Sequence, residues 1–97
     1  MNRRTYPVDI KVNGHRVKTV IIDSHYELKH SATISDKLIL ELVQLLDGGD
    51  FAAESTTLSY EYYTTDNLLF RGKRYRMIWL IEKNELFIGV INAYRRR

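Results

Sequence analysis

The sequence predicts one α+β domain over residues 1–97: an N-terminal β-hairpin, one or two helices, and then a three-stranded antiparallel meander packed against the helices. Two segments of alternating apolar and polar residues flank an Asn-Gly pair, which is the strongest short signal for a hairpin turn. Apolar residues then recur at helical spacing up to a Gly-Gly pair, and the remainder alternates as strands do. The length fits a single core, since domains usually span ~100–200 residues.

The hairpin is predicted from residues 7–12 and 15–23, joined by a type I′ turn at Asn13-Gly14. Both central residues of such a turn must accept a positive φ, which asparagine and glycine do most readily. Apolar and polar residues alternate on either side of the turn, so each strand has one face for the core.

Two helical segments follow the hairpin. Ser24 and Glu27 have the spacing of a capping box and predict a short helix over about 25–30. A second helix is predicted to begin at Ser35, after a β-branched break, and to end at Gly48-Gly49, because glycine takes the left-handed conformation after a helix at low cost.

The last part of the chain reads as strands. Alternation over 58–63 predicts a half-exposed strand, and 64–67 is typical of a turn, while 68–70 fits either a loop or the start of the next strand. Strands are also predicted over 74–82 and 86–94. These two are apolar on both faces in their middles, so we expect them to be central and covered.

Composition and charge limit the function classes. The chain is 44% hydrophobic, a composition that excludes disorder. It has no cysteine, which excludes a disulfide framework and a thiol nucleophile and fits a cytoplasmic protein. No apolar run approaches the ~18 residues of a membrane span, so no membrane association is expected. The net charge of +3 comes entirely from residues 51–97, in clusters at 71–76 and 95–97, and such basic clusters favour a polyanion such as RNA.

No metal or cofactor is expected from the motifs. His25 and His30 are five residues apart, which places them ~140° apart on a helix and makes a shared metal awkward. The Gly48-Gly49 pair follows a helix instead of preceding one, so it is not a phosphate-binding loop.

The remaining polar residues suit metal-independent RNA cleavage. Histidine moves protons near neutrality, arginine holds a phosphate through two hydrogen bonds, and tyrosine donates a proton or stacks on a base. Together a base, a cation and an acid can promote attack of the RNA 2′-hydroxyl on the adjacent phosphate. The residues that could supply these groups lie on the first predicted helix and on or beside the last two predicted strands: His25, Lys29, His30, Arg71, Lys73, Arg74, Arg76, Tyr94 and Arg95.

Two short motifs carry a family resemblance over about residues 20–95. The chain ends its last predicted strand in Asn92-Ala93-Tyr94-Arg95, and the preceding strand contains Tyr75-Arg76-Met77-Ile78-Trp79. With a histidine-bearing first helix, this order resembles the RelE-like and BrnT-like toxins of bacterial toxin–antitoxin pairs, in the barnase, colicin and RelE group of ribonuclease folds. The likeness is greatest to an uncharacterised branch that ends in an Ala-Tyr-Arg motif.

The resemblance implies a single RelE-like domain with endoribonuclease activity, a hydrolase located in the cytoplasm. Its substrate would be RNA, with ribosome-bound mRNA as one form, and its partner an antitoxin protein. Residue by residue, the first-helix histidine of the family falls on His25 or His30, the penultimate-strand arginine on Arg76, and the terminal pair on Tyr94 and Arg95. With this resemblance, the candidate catalytic residues are His30, His25, Arg76 and Tyr94. The candidate RNA-binding residues are Lys29, Arg71, Lys73, Arg74 and Arg95. The N-terminal hairpin is longer than this family's pattern.

Two other interpretations remain open. A non-catalytic RNA- or protein-binding module, such as an antitoxin or immunity partner, would present a basic or aromatic surface that includes Tyr60, Tyr62 and Tyr63. A homodimer could form through the exposed edge of the hairpin. The ribonuclease hypothesis instead predicts that His30, Arg76 and Tyr94 converge in a shallow basic cleft on the sheet.

Overall fold

The computed structural model describes residues 3–97 and has an α+β fold, as predicted. One six-stranded sheet forms most of it, with two short helices and a 3₁₀ turn. In chain order the elements are β1 (Arg3–Val12), β2 (His15–Asp23), the 3₁₀ turn (Ser24–Tyr26), α1 (Glu27–His30), α2 (Asp36–Gln44), β3 (Ser55–Thr56), β4 (Tyr60–Phe70), β5 (Lys73–Glu82) and β6 (Ile88–Arg96). None of the helices in residues 3–97 has the length and apolar character needed to cross a membrane.

The N-terminal hairpin and the C-terminal strands belong to the same sheet. The strand order is β1-β2-β6-β5-β4-β3, and every neighbouring pair is antiparallel except β2 and β6. That parallel pair runs from Val20 beside Ile88 to Ile22 beside Val90. The fold is therefore richer in sheet than the predicted hairpin plus a three-stranded meander.

The hairpin turn forms where the Asn-Gly pair predicts it. Asn13 and Gly14 have φ values of 52° and 79°, which the mirror-image turn requires. The Asn13 side chain also donates to the Tyr63 hydroxyl at 3.0 Å and accepts from the Phe51 amide at 2.5 Å. These bonds tie the turn to the rest of the domain. The first strand begins at Arg3, earlier than predicted.

One of the two predicted helix caps is present. Ser35 precedes α2, and its hydroxyl accepts from the Leu38 amide at 3.2 Å. The capping box predicted at Ser24 is wrong: Ser24 lies within the 3₁₀ turn, and the Asp23 carboxylate accepts the His25 amide at 2.9 Å instead. An aspartate one position earlier therefore caps the turn through a different amide from the one that Ser24 would have bound.

The predicted turn at residues 64–67 is also wrong, because these residues lie inside β4. The register of β4 against β5 shifts between Thr65 and Leu68, so the strand accommodates its turn-forming residues as a bulge. Asn67 takes a φ of 58° there, and its amide donates to the Asp66 carboxylate at 3.0 Å.

The sheet has one covered and one open face. On the face under α2, Trp79 of β5 is fully buried, with its ring stacked on Tyr63 at 4.2 Å between centroids. The opposite side, called the open face below, carries Arg76, Ile78 and Leu80 of β5, all half-exposed. The last two strands are central in the sheet, as predicted, but they are covered on one face only, whereas the sequence predicted them to be covered.

Candidate functional site

His30, Tyr94 and Arg76 lie together at the open face. The His30 ring stacks on the Tyr94 ring with 5.3 Å between centroids and 23° between planes. The Arg76 Nη1 donates a hydrogen bond to the Tyr94 hydroxyl at 3.2 Å. All three side chains are half-exposed. We call this set the His30–Tyr94–Arg76 cluster.

The parallel pairing of β2 with β6 explains how His30 reaches the other two residues. Because β2 ends beside the middle of β6, the 3₁₀ turn and α1 continue alongside the rest of that strand, and the turn contacts β6. Arg76 and Tyr94 are direct cross-strand partners in β5 and β6, so their side chains share a face. The His30 carbonyl accepts the Thr33 and Ile34 amides at 3.0 and 2.8 Å, which fixes the end of α1.

The guanidinium of Arg76 is held without being neutralised. Within residues 3–97 Arg76 has no ion pair, and its buried Nε has no acceptor. The hydrogen bond to Tyr94 raises the pKa of Arg76, so its positive charge is retained at any pH of interest. Since the Tyr94 oxygen accepts from Arg76, its own proton remains for another acceptor.

The basic residues predicted to bind RNA are divided between the two faces. Arg74 precedes Arg76 by two residues in β5 and pairs with Arg96 of β6, so both belong to the open face. Arg71 and Lys73 instead line a cavity of about 320 Å³ beside the start of α2, on the other side of the sheet. Arg96 is partly offset by Asp66, 3.5 Å away.

The remaining predicted residues lie outside the cluster. Within residues 3–97 the ring of His25 makes no hydrogen bond or aromatic contact with Tyr94 or Arg76, and His25 is exposed. Lys29 is exposed on α1, and Arg95 is exposed near the end of β6. The structure thus brings together three of the four candidate catalytic residues.

The three tyrosines expected to form one aromatic surface are also divided. Tyr63 faces α2 and is only 2% exposed, so its place on that surface is a wrong prediction. Tyr60 and Tyr62 are half-exposed and near each other, with ring centroids 6.1 Å apart. Alternation along β4 determines this division, because neighbouring residues point to opposite faces.

A polar network not expected from the sequence holds the segment that carries His30. Asp36, the first residue of α2, forms an ion pair with Arg4 of β1 and accepts the hydroxyls of Tyr6 and Tyr26 at 2.5 and 2.7 Å. Arg4 also binds Glu27 at 2.6 Å. The network therefore connects β1 to Glu27 and to Asp36, which lie before and after His30 in the chain. The sequence signals it only in that Arg4 and Tyr6 continue the pattern by which every second residue of β1 faces the core.

The network predicts a pH-dependent contribution of Asp36 to stability. The hydrogen bond from Arg4 lowers the Asp36 pKa to about 2. The burial of Tyr26, together with the hydrogen bond from its hydroxyl to Asp36, raises the Tyr26 pKa to about 12. A carboxylate with a lowered folded-state pKa stabilises the fold above its unfolded value of ~3.9, and this stability is lost as the pH falls through the folded value. We expect Asp36→Asn to lower the free energy of unfolding by ~2 kcal/mol at pH 7.

Urea denaturation of both proteins at pH 7, 4 and 2 tests this expectation. The difference between wild type and Asp36→Asn should shrink towards pH 2, whereas the exposed Asp50→Asn control should match wild type throughout. A difference that stays constant with pH would show that the carboxylate charge contributes nothing.

Within residues 3–97 no group of three or more histidine, aspartate or glutamate side chains is placed to hold a metal ion. Comparison of the chain with protein-family models, curated proteins and solved structures finds no match.

Proposed function

We propose that this protein is a metal-independent endoribonuclease and the toxin component of a toxin–antitoxin system. The single observation that carries the proposal is the His30–Tyr94–Arg76 cluster. It combines a proton-transfer group, an unneutralised cation and a hydroxyl at the open face of a sheet. Those three functions are the ones that cleavage by the 2′-hydroxyl needs.

The proposed reaction assigns one task to each side chain. His30 takes the proton of the RNA 2′-hydroxyl as its oxygen attacks the adjacent phosphorus. Arg76 binds a non-bridging oxygen and stabilises the charge that grows on the phosphorane. Tyr94, oriented by Arg76, donates its proton to the 5′-oxygen as the bond between phosphorus and that oxygen breaks. The products are a 2′,3′-cyclic phosphate and a 5′-hydroxyl, and the proton held by His30 then passes through solvent to Tyr94 and restores the enzyme.

The test is cleavage of a 5′-labelled single-stranded RNA by the purified protein in EDTA, with and without ribosomes. The expected products carry 2′,3′-cyclic phosphates, and a fully 2′-O-methylated RNA of the same sequence should stay intact because it lacks the nucleophile. Intact RNA in every lane, from protein whose fold is verified by circular dichroism, would refute the proposed activity.

The partners and location proposed with this activity follow from the resemblance to RelE-like toxins. The partners are RNA, including ribosome-bound mRNA, and an antitoxin protein that neutralises the enzyme, and the location is the cytoplasm. A homodimer is a further proposed state, and it is supported by the exposed edge of β1. Induced expression in bacteria should arrest growth, and expression of the His30→Ala protein to the same level should not.

A second candidate function is a non-catalytic RNA-binding module. The half-exposed pair Tyr60 and Tyr62 on the open face supports it, since exposed aromatic rings on a sheet stack on unpaired bases. The two candidates differ in one outcome: a binding module retains RNA and leaves it intact, whereas the enzyme releases cleaved products.

A further inference from the structure

The open face also has a groove, which is separated from the His30–Tyr94–Arg76 cluster by a few residues along β5. It is a cavity of about 200 Å³, with Tyr60 and Tyr62 of β4 on one wall and Leu80 of β5 and Gly89 of β6 at its floor. Gly89 leaves room for the Leu80 side chain, because a Cβ at position 89 would lie 2.9 Å from it and one of the two would have to shift.

The groove is aromatic, with polar groups of both signs at one end. Arg3 and Asp23, cross-strand partners in β1 and β2, contribute to its lining. One Asp23 oxygen accepts the His25 amide, and within residues 3–97 the other makes no hydrogen bond. A ligand that suits this lining has a flat face for the tyrosines and an edge with hydrogen-bond donors and acceptors. An unpaired nucleic-acid base has both.

The distance between the groove and the cluster would allow one strand of RNA to contact both. Leu80 is four residues from Arg76 on the same face of β5, a distance of ~13 Å at ~3.3 Å per residue. Successive bases are ~3.4 Å apart in a stacked strand, and further apart when unstacked, so a few nucleotides span this distance. Arg74, Arg76 and Arg96 stand at the far end of that path, where the backbone phosphates would lie.

We propose that this groove is a subsite that binds one unpaired base of a single-stranded RNA whose reacting phosphate lies at the His30–Tyr94–Arg76 cluster. This inference rests on the proposed ribonuclease function and adds to it a preference for single-stranded substrates longer than a dinucleotide. The base stacks on Tyr62 while its edge lies towards Arg3 and Asp23.

The test uses fluorescence anisotropy with a labelled, fully 2′-O-methylated RNA octamer, which binds without being cleaved. Base stacking on an aromatic ring contributes ~1–3 kcal/mol, so Tyr62→Leu should weaken binding by roughly 5- to 150-fold. Tyr62→Phe is the matched control: it keeps the ring and should bind like wild type. Thermal melts of both variants verify that the half-exposed position leaves the fold intact.

Cleavage kinetics provide the second measurement. Wild-type protein should cleave the octamer sequence in unmodified RNA with a lower KM than a dinucleotide, which reaches only the cluster, and Tyr62→Leu should raise the KM for that octamer. Equal octamer binding by wild type and Tyr62→Leu would overturn the subsite, as expected if the groove receives a protein partner instead. Weakened binding with no cleavage by any form would refute the proposed enzyme and leave the base-binding groove standing.

Discussion

Replacing His30 with alanine should lower the single-turnover rate of RNA cleavage by roughly 10²–10⁴-fold, the usual contribution of a general acid or base. His30 is the histidine that the structure places against Tyr94 and, through it, near the cation of Arg76. With the imidazole removed, no group in the cluster remains to take the 2′-hydroxyl proton near neutral pH. Loss of the stacked ring should lower stability by only ~0.5–1.5 kcal/mol.

The matched control is His25→Ala, five residues earlier on the same segment. His25 is exposed, and its anchoring contact is made through its backbone amide, which alanine retains. Its cleavage rate should stay within about twofold of wild type. If His25→Ala loses as much activity as His30→Ala, or if His30→Ala cleaves at the wild-type rate, the assignment of the base to His30 is wrong.

Arg76 should have the second largest effect. Removing one preorganised donor to a developing oxyanion typically costs ~10²–10³-fold in kcat, and Arg76→Ala removes both that donor and the hydrogen bond to Tyr94. Arg76→Lys keeps the charge but loses the planar fork, so it should recover only part of the rate. The loss should appear mainly in kcat, measured with saturating single-stranded RNA.

Arg74→Ala is the control for Arg76, because Arg74 lies two residues away on the same face and is exposed. It should raise KM by a few-fold, less so at high salt, and leave kcat unchanged, since an exposed cation acts through screened attraction to the RNA backbone. Equal losses of kcat in the two alanine variants would show that the open face contributes only diffuse charge.

Local features of the chain were predictable from the sequence, and long-range ones were not. The turn at Asn13-Gly14 and the cap at Ser35 depend on the conformational preferences of a few neighbouring residues, and both formed as predicted. The parallel contact of β2 with β6 joins strands far apart in sequence, and no local pattern encodes it. The error at residues 64–67 has the opposite origin, because pairing with β5 overrides the turn preference and leaves a bulge.

The candidate site shows the same division. Residue chemistry and the resemblance to RelE-like toxins selected His30, Arg76 and Tyr94, together with His25, but which of them meet depends on the strand register and on where the segment after β2 runs. The period of a strand could have placed Tyr63 opposite Tyr60 and Tyr62, yet it does not say which face the helices cover. Asp36 was missed because its partners come from β1 and the 3₁₀ turn, both brought to it by the fold.

The parallel pairing of β2 with β6 also determines when the His30–Tyr94–Arg76 cluster can form on a growing polypeptide. His30 is translated well before Tyr94, and at ~5–20 residues per second several seconds separate them. Until β6 is made, β2 has no neighbour on its inner side and the histidine has no ring to stack on. A partially synthesised chain therefore contains His30 but cannot yet form the cluster, because Tyr94 has not been made. Because loop closure must come before non-local strands can pair, we expect this pairing to slow folding relative to domains of the same size with local contacts.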